Sequence, residues 1–125
     1  MQSPTDVAAT APRLLLLKDI KANPKVKALI DGANEVMRAM GYTEHGHRHA
    51  GVVSSITRYI MENVGAPARE IELGQIAGYL HDIGNVINRV AHPMTGGTLV
   101  YNVLNEMGMD AIEIAPILGA AHRRF

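Results

Sequence analysis

The segment from residue 24 to residue 40 has the clearest structural pattern in the chain. Its apolar side chains recur at steps of three and four residues, at Val26, Leu29, Ile30, Ala33, Val36, Met37 and Met40. This spacing predicts an amphipathic α-helix that buries one face. Pro24 is typical of a first helical turn, and Gly41 is typical of a helix end. Such a helix needs other elements to cover its apolar face.

Similar helical patterns fill most of the remaining chain. The predicted helices are residues 13–22, 43–64, 68–81 and 92–107, followed by a segment that Asp110 caps and that kinks or restarts at Pro116. In the helix predicted at residues 43–64, we expect one face to pack inward. This face consists of Val52, Val53, Ile56, Tyr59, Ile60 and Val64. Residues 1–12 lack periodicity and are expected to be a disordered terminus. The sequence therefore predicts an all-α fold with one helical domain at residues 13–125.

The composition fits packed helices and argues against several functions. The chain is 47% hydrophobic but has one Phe and no Trp, so its core is expected to be aliphatic. Twelve basic and twelve acidic residues leave no net charge that would favour nucleic acid or an anionic membrane. There is no Cys, no apolar run long enough for a membrane span and no signal-peptide pattern. We expect a cytoplasmic protein.

Two glycines lie one turn apart in the helix predicted at residues 68–81. Gly74 and Gly78 each cost about 1 kcal/mol of helix propensity relative to Ala. Close packing against a neighbouring helix would offset this cost. We expect that packing to bring His81 and Asp82, at the end of the helix, near His49.

Metal-ligating side chains are concentrated near that helix end. His81 and Asp82 diverge by roughly 100° on a helix, so both reach one ion only where the backbone turns away, as Gly84 would allow. His49 and His45 lie four residues apart on the preceding helix, whereas His47 should point toward solvent. Nitrogen and oxygen ligands without thiolates suit Mn²⁺, Fe²⁺, Co²⁺, Ni²⁺ or Zn²⁺. The alternative is a set of internally hydrogen-bonded histidines in a structural domain.

A wider histidine pattern runs through the chain. His49 is followed by Tyr-Leu-His-Asp-Ile-Gly at residues 79–84, and then by His92 and His122. Together with Gly-Tyr-Thr-Glu-His-Gly-His-Arg-His at residues 41–49, this pattern resembles the HD superfamily of metal-dependent phosphohydrolases, over about residues 42–122. The resemblance implies an all-helical, HD-domain-like bundle that holds one or two divalent ions (Mn, Fe, Ni, Co, Zn or Mg) in its core.

The resemblance also implies roles for individual residues. The principal ion would be held by His49, His81 and Asp82, with His81 and Asp82 at the catalytic centre. In members with two ions, residues matching His92 and His122 hold the second ion, and Asp82 bridges the two. His45 is expected to be a hydrogen-bonding partner of His49.

Two features depart from the family pattern. Asn85 stands where family members usually have a lysine, and the family's last Asp ligand comes from a helix that would follow Phe125. Without that helix, the inward faces around His49, Ile56 and Leu80 would be partly uncovered. We therefore expect a homo-oligomer or a fragment of a longer protein.

The resemblance implies hydrolysis of a phosphate ester, with a small phosphorylated compound or a nucleotide as the substrate. A divalent ion lowers the pKa of bound water from 15.7 toward about 7 and polarises a phosphoryl oxygen. Arg48 and Arg89 are candidates for binding substrate phosphate, and the alternative for each is an exposed side chain on a solvated face. A metal- or nucleotide-binding regulatory module without turnover is the second hypothesis, because the last Asp ligand is missing.

Overall fold

Six α-helices form the part of the chain that the structure describes. The computed structural model describes residues 14–41, 46–83 and 93–122, and within the last range it describes the side chains of residues 97–119. The helices are α1 (Leu17–Ala22), α2 (Pro24–Ala39), α3 (His47–Asn63), α4 (Ala68–Leu80), α5 (Pro93–Glu106) and α6 (Ala111–His122). The predicted all-α class is confirmed. None of the described helices has the length and apolar character that crossing a membrane would require.

Helix α2 agrees closely with its sequence pattern. The Asn23 side chain accepts hydrogen bonds from the backbone N–H groups at the start of the helix, and Pro24 occupies the first helical position. The helix ends at Ala39, and Gly41 has a φ of 91°, which favours glycine. The side chains of Val26, Ile30, Ala33 and Met37 are buried, as the spacing predicts. Met40, also expected on that face, is 49% exposed.

The first helix is shorter than the sequence pattern predicts. It begins at Leu17 rather than residue 13, and Leu16 has an extended backbone. The Leu16 N–H donates to the Asp19 carboxylate over 2.9 Å, and the Leu17 N–H donates to Glu72 of α4. Leu15 is fully buried. The consecutive leucines therefore join the core partly as an extended segment, because side-chain carboxylates accept the N–H groups that a longer helix would bond internally.

Helix α6 continues through its proline. The Asp110 carboxylate accepts a hydrogen bond from the Ile112 N–H over 2.8 Å, which confirms the predicted cap. Pro116 lies within the helix, so the restart proposed for this position is wrong. Proline removes the hydrogen bond that the Ile112 carbonyl would otherwise accept. The Ile112 side chain is 82% exposed, and on this side of the helix water can satisfy that carbonyl.

Helix α4 lies at the centre of the bundle, between α3 and α6. Its buried residues meet those of α5 and α6 in an aliphatic core, as the composition predicts. The largest fully buried side chains on these three helices are Ile76, Leu80, Val100, Val103, Leu104, Ile114 and Ile117. Leu80 is therefore covered, contrary to the expectation that its surroundings would be open.

Glycines in α4 allow α3 to approach closely, as predicted. A Cβ atom at Gly74 would lie 2.5 Å from the Met61 sulfur, and one at Gly78 would lie 3.2 Å from both Thr57 Oγ1 and Val53 Cγ1. Real Cβ atoms seldom come this close to neighbouring atoms. The packing fixes the relative position of the two helices that carry the histidines.

The face by which α3 packs differs from the predicted one. Ala50 and Ser54 are buried against the bundle, because small side chains suit the close approach to α4. Of the side chains predicted to pack inward, Val53 does contact α4. The other five point away from the bundle and are 47–75% exposed. They form what we call the α3 apolar face, which consists of Val52, Ile56, Tyr59, Ile60 and Val64.

Arg69 links α4 to α6 and to the N-terminal segment. Its guanidinium donates to both carboxylate oxygens of Glu113 over 2.7 Å and to the Leu15 carbonyl over 2.7 Å. The side chains of Arg69 and Glu113 are only 25% and 19% exposed. The hydrogen bond from Arg69 lowers the pKa of Glu113 against the opposing effect of burial, and the positive charge of Arg69 lowers it further.

This ion pair predicts a pH-dependent contribution to stability. Because the pKa of Glu113 is lowered on folding, its contribution is fully present above the unfolded pKa of about 4.3 and is lost as the pH falls through the folded value. We expect Glu113→Gln to lower the free energy of unfolding by about 2 kcal/mol at neutral pH. That difference should shrink as the pH falls below about 4. Urea denaturation of both proteins across this pH range measures it.

Glu106→Gln is the matched control for this experiment. Glu106 pairs with Lys25 over 2.9 Å, but the two side chains are 58% and 51% exposed. An exposed pair of this kind contributes less than about 1 kcal/mol. An equal effect of the two substitutions would contradict the structural role of the Arg69–Glu113 pair.

Candidate metal centre

Two helices bring three metal-ligating side chains together. His49 lies in the first turn of α3, while His81 and Asp82 follow the last residue of α4. His81 retains helical backbone angles and Asp82 lies in a turn, so the two side chains no longer diverge as they would within a helix. The structure confirms the predicted approach of His49 to the end of α4. Gly84, which we expected to make the turn, lies outside the described residues.

The distances in this cluster match those between ligands of one ion. Asp82 Oδ2 lies 3.3 Å from His49 Nε2 and 3.2 Å from His81 Nε2. Ligand atoms about 2.1 Å from a common ion are separated by roughly 3.0 to 3.4 Å in octahedral and tetrahedral geometries. The imidazole centroids are 5.2 Å apart, and one ligand atom from each residue lies within 4.8 Å of the others. The three residues can therefore hold a metal ion.

A hydrogen bond sets the orientation of the His81 ring. Its Nδ1–H donates to the Gly78 carbonyl over 2.6 Å, which turns Nε2 toward Asp82. Metal-ligating histidines commonly donate their second ring N–H in this way. Burial lowers the pKa of His81, but the hydrogen bond and charge of Asp82 and the Gly78 carbonyl outweigh burial and raise it. A proton and a metal ion thus compete for Nε2.

The three side chains line a recess that opens to solvent. Their exposed fractions are 29% for His49, 16% for His81 and 25% for Asp82. The recess and the solvent at its mouth together have a volume of about 230 Å³. The recess is lined by Ile30, Ala33, His49, Ala50, Tyr79, His81, Asp82 and Ile83. Apolar walls around a few polar groups strengthen electrostatic interactions within the recess and are typical of binding sites.

A second polar cluster adjoins the recess and was not predicted. His47 Nε2 lies 2.9 Å from Asp31 Oδ1, and His47 Nδ1 lies 3.3 Å from the Tyr79 hydroxyl. Burial and the charge of Asp31 raise the pKa of Tyr79, so its hydroxyl stays protonated and can donate to His47. Lys21 Nζ lies 5.6 Å from the centre of the Tyr79 ring. His47, which was expected to point toward solvent, is 41% exposed, but it also contacts Asp31 and Tyr79.

Sequence spacing gave no signal for this cluster. Asp31 belongs to α2, and its approach to His47 depends on how α2 and α3 pack. Tyr79 is 6% exposed and lies in the Tyr-Leu-His-Asp sequence, but its ring is apolar enough to be expected in any helical core. Only the three-dimensional arrangement shows that its hydroxyl faces a histidine.

The remaining predicted site residues have different positions. Arg48 is exposed on α3 beside His49. His122 is in α6, but its side chain is outside the described part of the structure. The candidates His45, Arg89 and His92 lie outside the described residues. The structure thus brings together His49, His81 and Asp82 from the predicted set.

Comparisons with known proteins gave no further identification. No protein-family model, no curated protein and no solved structure matched the chain. The fold and the site define an all-α protein with a candidate His-His-Asp metal centre.

Proposed function

We propose that this chain is an HD-type metal-dependent phosphohydrolase that acts on a small phosphate ester or nucleotide. The observation that carries the proposal is the cluster of His49, His81 and Asp82, in which both imidazole Nε2 atoms lie within 3.3 Å of one carboxylate oxygen. The resemblance of the histidine pattern to HD phosphohydrolases supports the same function. The three side chains are partly exposed, which gives a substrate access to the cluster from solvent.

The residues have separate roles in this proposal. His49 and His81 would hold a divalent ion through ring nitrogens, and Asp82 would add an oxygen ligand and a negative charge that offsets the charge of the ion. When bound, such an ion would supply Lewis acidity for the attack of water on a phosphate ester. The Gly78 carbonyl holds His81 in its ligating orientation. His92 and His122 are proposed as ligands of a second ion that Asp82 shares, with His45 supporting His49.

Substrate phosphate requires a positive partner near the metal centre. We assign this role to Arg48, which precedes His49 in the first turn of α3, and to Arg89, which follows α4 in the sequence. A guanidinium can donate two parallel N–H groups to a phosphate. The substrate would bring its phosphoryl group to the mouth of the recess, where His49, His81 and Asp82 are partly exposed.

Hydrolysis assays test this proposal. The purified protein should release phosphate from p-nitrophenyl phosphate or from nucleotides in the presence of Mn²⁺, Fe²⁺, Co²⁺ or Ni²⁺, and a chelator should abolish the activity. Asp82→Asn retains the size of the side chain but removes its charge, and it should reduce the rate at least about a hundredfold. Equal activity of this variant would place the reaction elsewhere.

A regulatory module that binds metal or nucleotide without turnover is the second candidate. The described residues of the cluster favour this candidate in one respect. Three protein ligands can suffice for metal binding, whereas catalysis needs further groups. Suppose that the protein binds a metal tightly but hydrolyses none of the tested esters with any of the metals. This result would support the regulatory module and contradict the proposal that the chain is an enzyme.

A further inference from the structure

The proposed function does not use the α3 apolar face. Its five side chains are 47–75% exposed, although four of them lie on a helix that also packs in the bundle and Val64 directly follows that helix. Together they expose on the order of 500 Å², which is near the upper limit for a monomer and typical of an interaction surface. A standard interface buries about 800 Å² per partner, so this face with its polar rim has a suitable size.

Charges on α3 are arranged at the two ends of this face. Arg48 lies in the first turn, Arg58 and Glu62 lie toward the last turn, and the described residues between positions 50 and 57 carry no charge. Interfaces commonly have such an apolar centre and a polar rim. An antiparallel pairing of two α3 helices, centred on Ile56, brings the two apolar centres together and keeps the Arg48 ends of the two copies apart. Arg58 and Glu62 remain paired with each other within each copy, over 3.2 Å.

We propose that two copies of this chain form a dimer with two-fold symmetry through their α3 apolar faces. Two-fold interfaces use the same surface on both copies, and this surface meets that requirement with one helix. The antiparallel arrangement also sets opposite ends of the helix dipoles side by side. His49 lies at the end of this interface, so assembly and the metal centre share helix α3.

Size-exclusion chromatography with light scattering over a range of protein concentrations tests the dimer. The wild-type chain should have twice the chain mass of 13.5 kDa. Ile56→Glu sets two carboxylates near the symmetry axis and should raise the dissociation constant about a hundredfold or more. The control is Ile112→Glu, because Ile112 is 82% exposed on α6 and lies outside the interface. That variant should remain dimeric.

Cysteine crosslinking tests the antiparallel arrangement independently. Ile56→Cys introduces a single cysteine near the centre of the α3 apolar face and should form a disulfide between the two copies on oxidation, whereas Val64→Cys, at one end of the face, should not. Thermal melting followed by circular dichroism establishes that each variant is folded. A wild-type monomer at every concentration would overturn the proposal, as would an Ile56→Glu dimer of unchanged strength. A folded wild-type monomer that Ile56→Glu unfolds would show that another segment of the same chain covers the face.

Discussion

Asp82→Ala is expected to lower the affinity of the chain for a divalent ion about a hundredfold or more. One oxygen of this carboxylate lies within 3.3 Å of the Nε2 atoms of His49 and His81. The substitution therefore removes the oxygen ligand at the centre of the three-residue cluster. It also removes the negative charge that offsets the charge of the ion. Isothermal titration calorimetry with Mn²⁺ and with Zn²⁺ measures the loss. Metal affinity equal to that of the wild type would remove Asp82 from the centre.

His47→Ala is the matched control for the loss of metal. His47 lies on the same helix as His49 but contacts Asp31 and Tyr79. Its side chain is 41% exposed, and we expect its removal to cost about 1 kcal/mol of stability with no change in metal affinity. A loss as large as that of Asp82→Ala would show that His47 belongs to the ligand set.

Gly78→Leu is expected to lower the free energy of unfolding by about 3 kcal/mol and to reduce metal affinity with it. A Cβ atom at this position already meets Thr57 and Val53 at 3.2 Å, and both are stiff β-branched side chains. A leucine must push α3 away from α4, which separates His49 from His81 and Asp82. Urea denaturation and metal titration of the same variant measure the two effects.

Gly51→Leu controls for the cost of placing a leucine at a helical glycine. Gly51 is on α3, and a Cβ atom there meets no atom within 4 Å. Replacing glycine by leucine improves the helix propensity at this position by up to about 1 kcal/mol. The Gly51→Leu chain should therefore be at least as stable to urea as the wild-type chain. If the two glycine variants unfold at the same urea concentration, close packing of α3 on α4 does not determine stability.

Local signals in the sequence were sufficient for much of the fold. Pro24 and Gly41 mark helix α2 to within a residue at its C-terminal end, because capping and backbone conformation depend on neighbouring residues. The glycines of α4 gave the close approach of α3, since a helical glycine without a turn function needs a packing reason. The close approach of the two helices in turn predicted that His49 would lie near His81 and Asp82.

Other features depend on contacts that no local pattern reveals. Helix α3 has two apolar faces, one small around Ala50 and Ser54 and one large around Ile56, and spacing alone favours the large one. The face with small side chains is buried instead, because Gly74 and Gly78 of α4 allow a close approach that larger side chains would prevent. The link from Arg69 to Glu113 joins residues 44 positions apart and likewise depends on the packed bundle. Tertiary partners decide which of several suitable faces is buried.

The metal content of the purified protein tests the central claim most directly. After reconstitution with Mn²⁺, Fe²⁺, Co²⁺, Ni²⁺ or Zn²⁺ and removal of free ions, elemental analysis should find about one ion or more per wild-type chain with at least one of these metals. His49→Ala, treated identically, should retain much less. A wild-type chain that retains none of the five metals would contradict a metal centre formed by His49, His81 and Asp82.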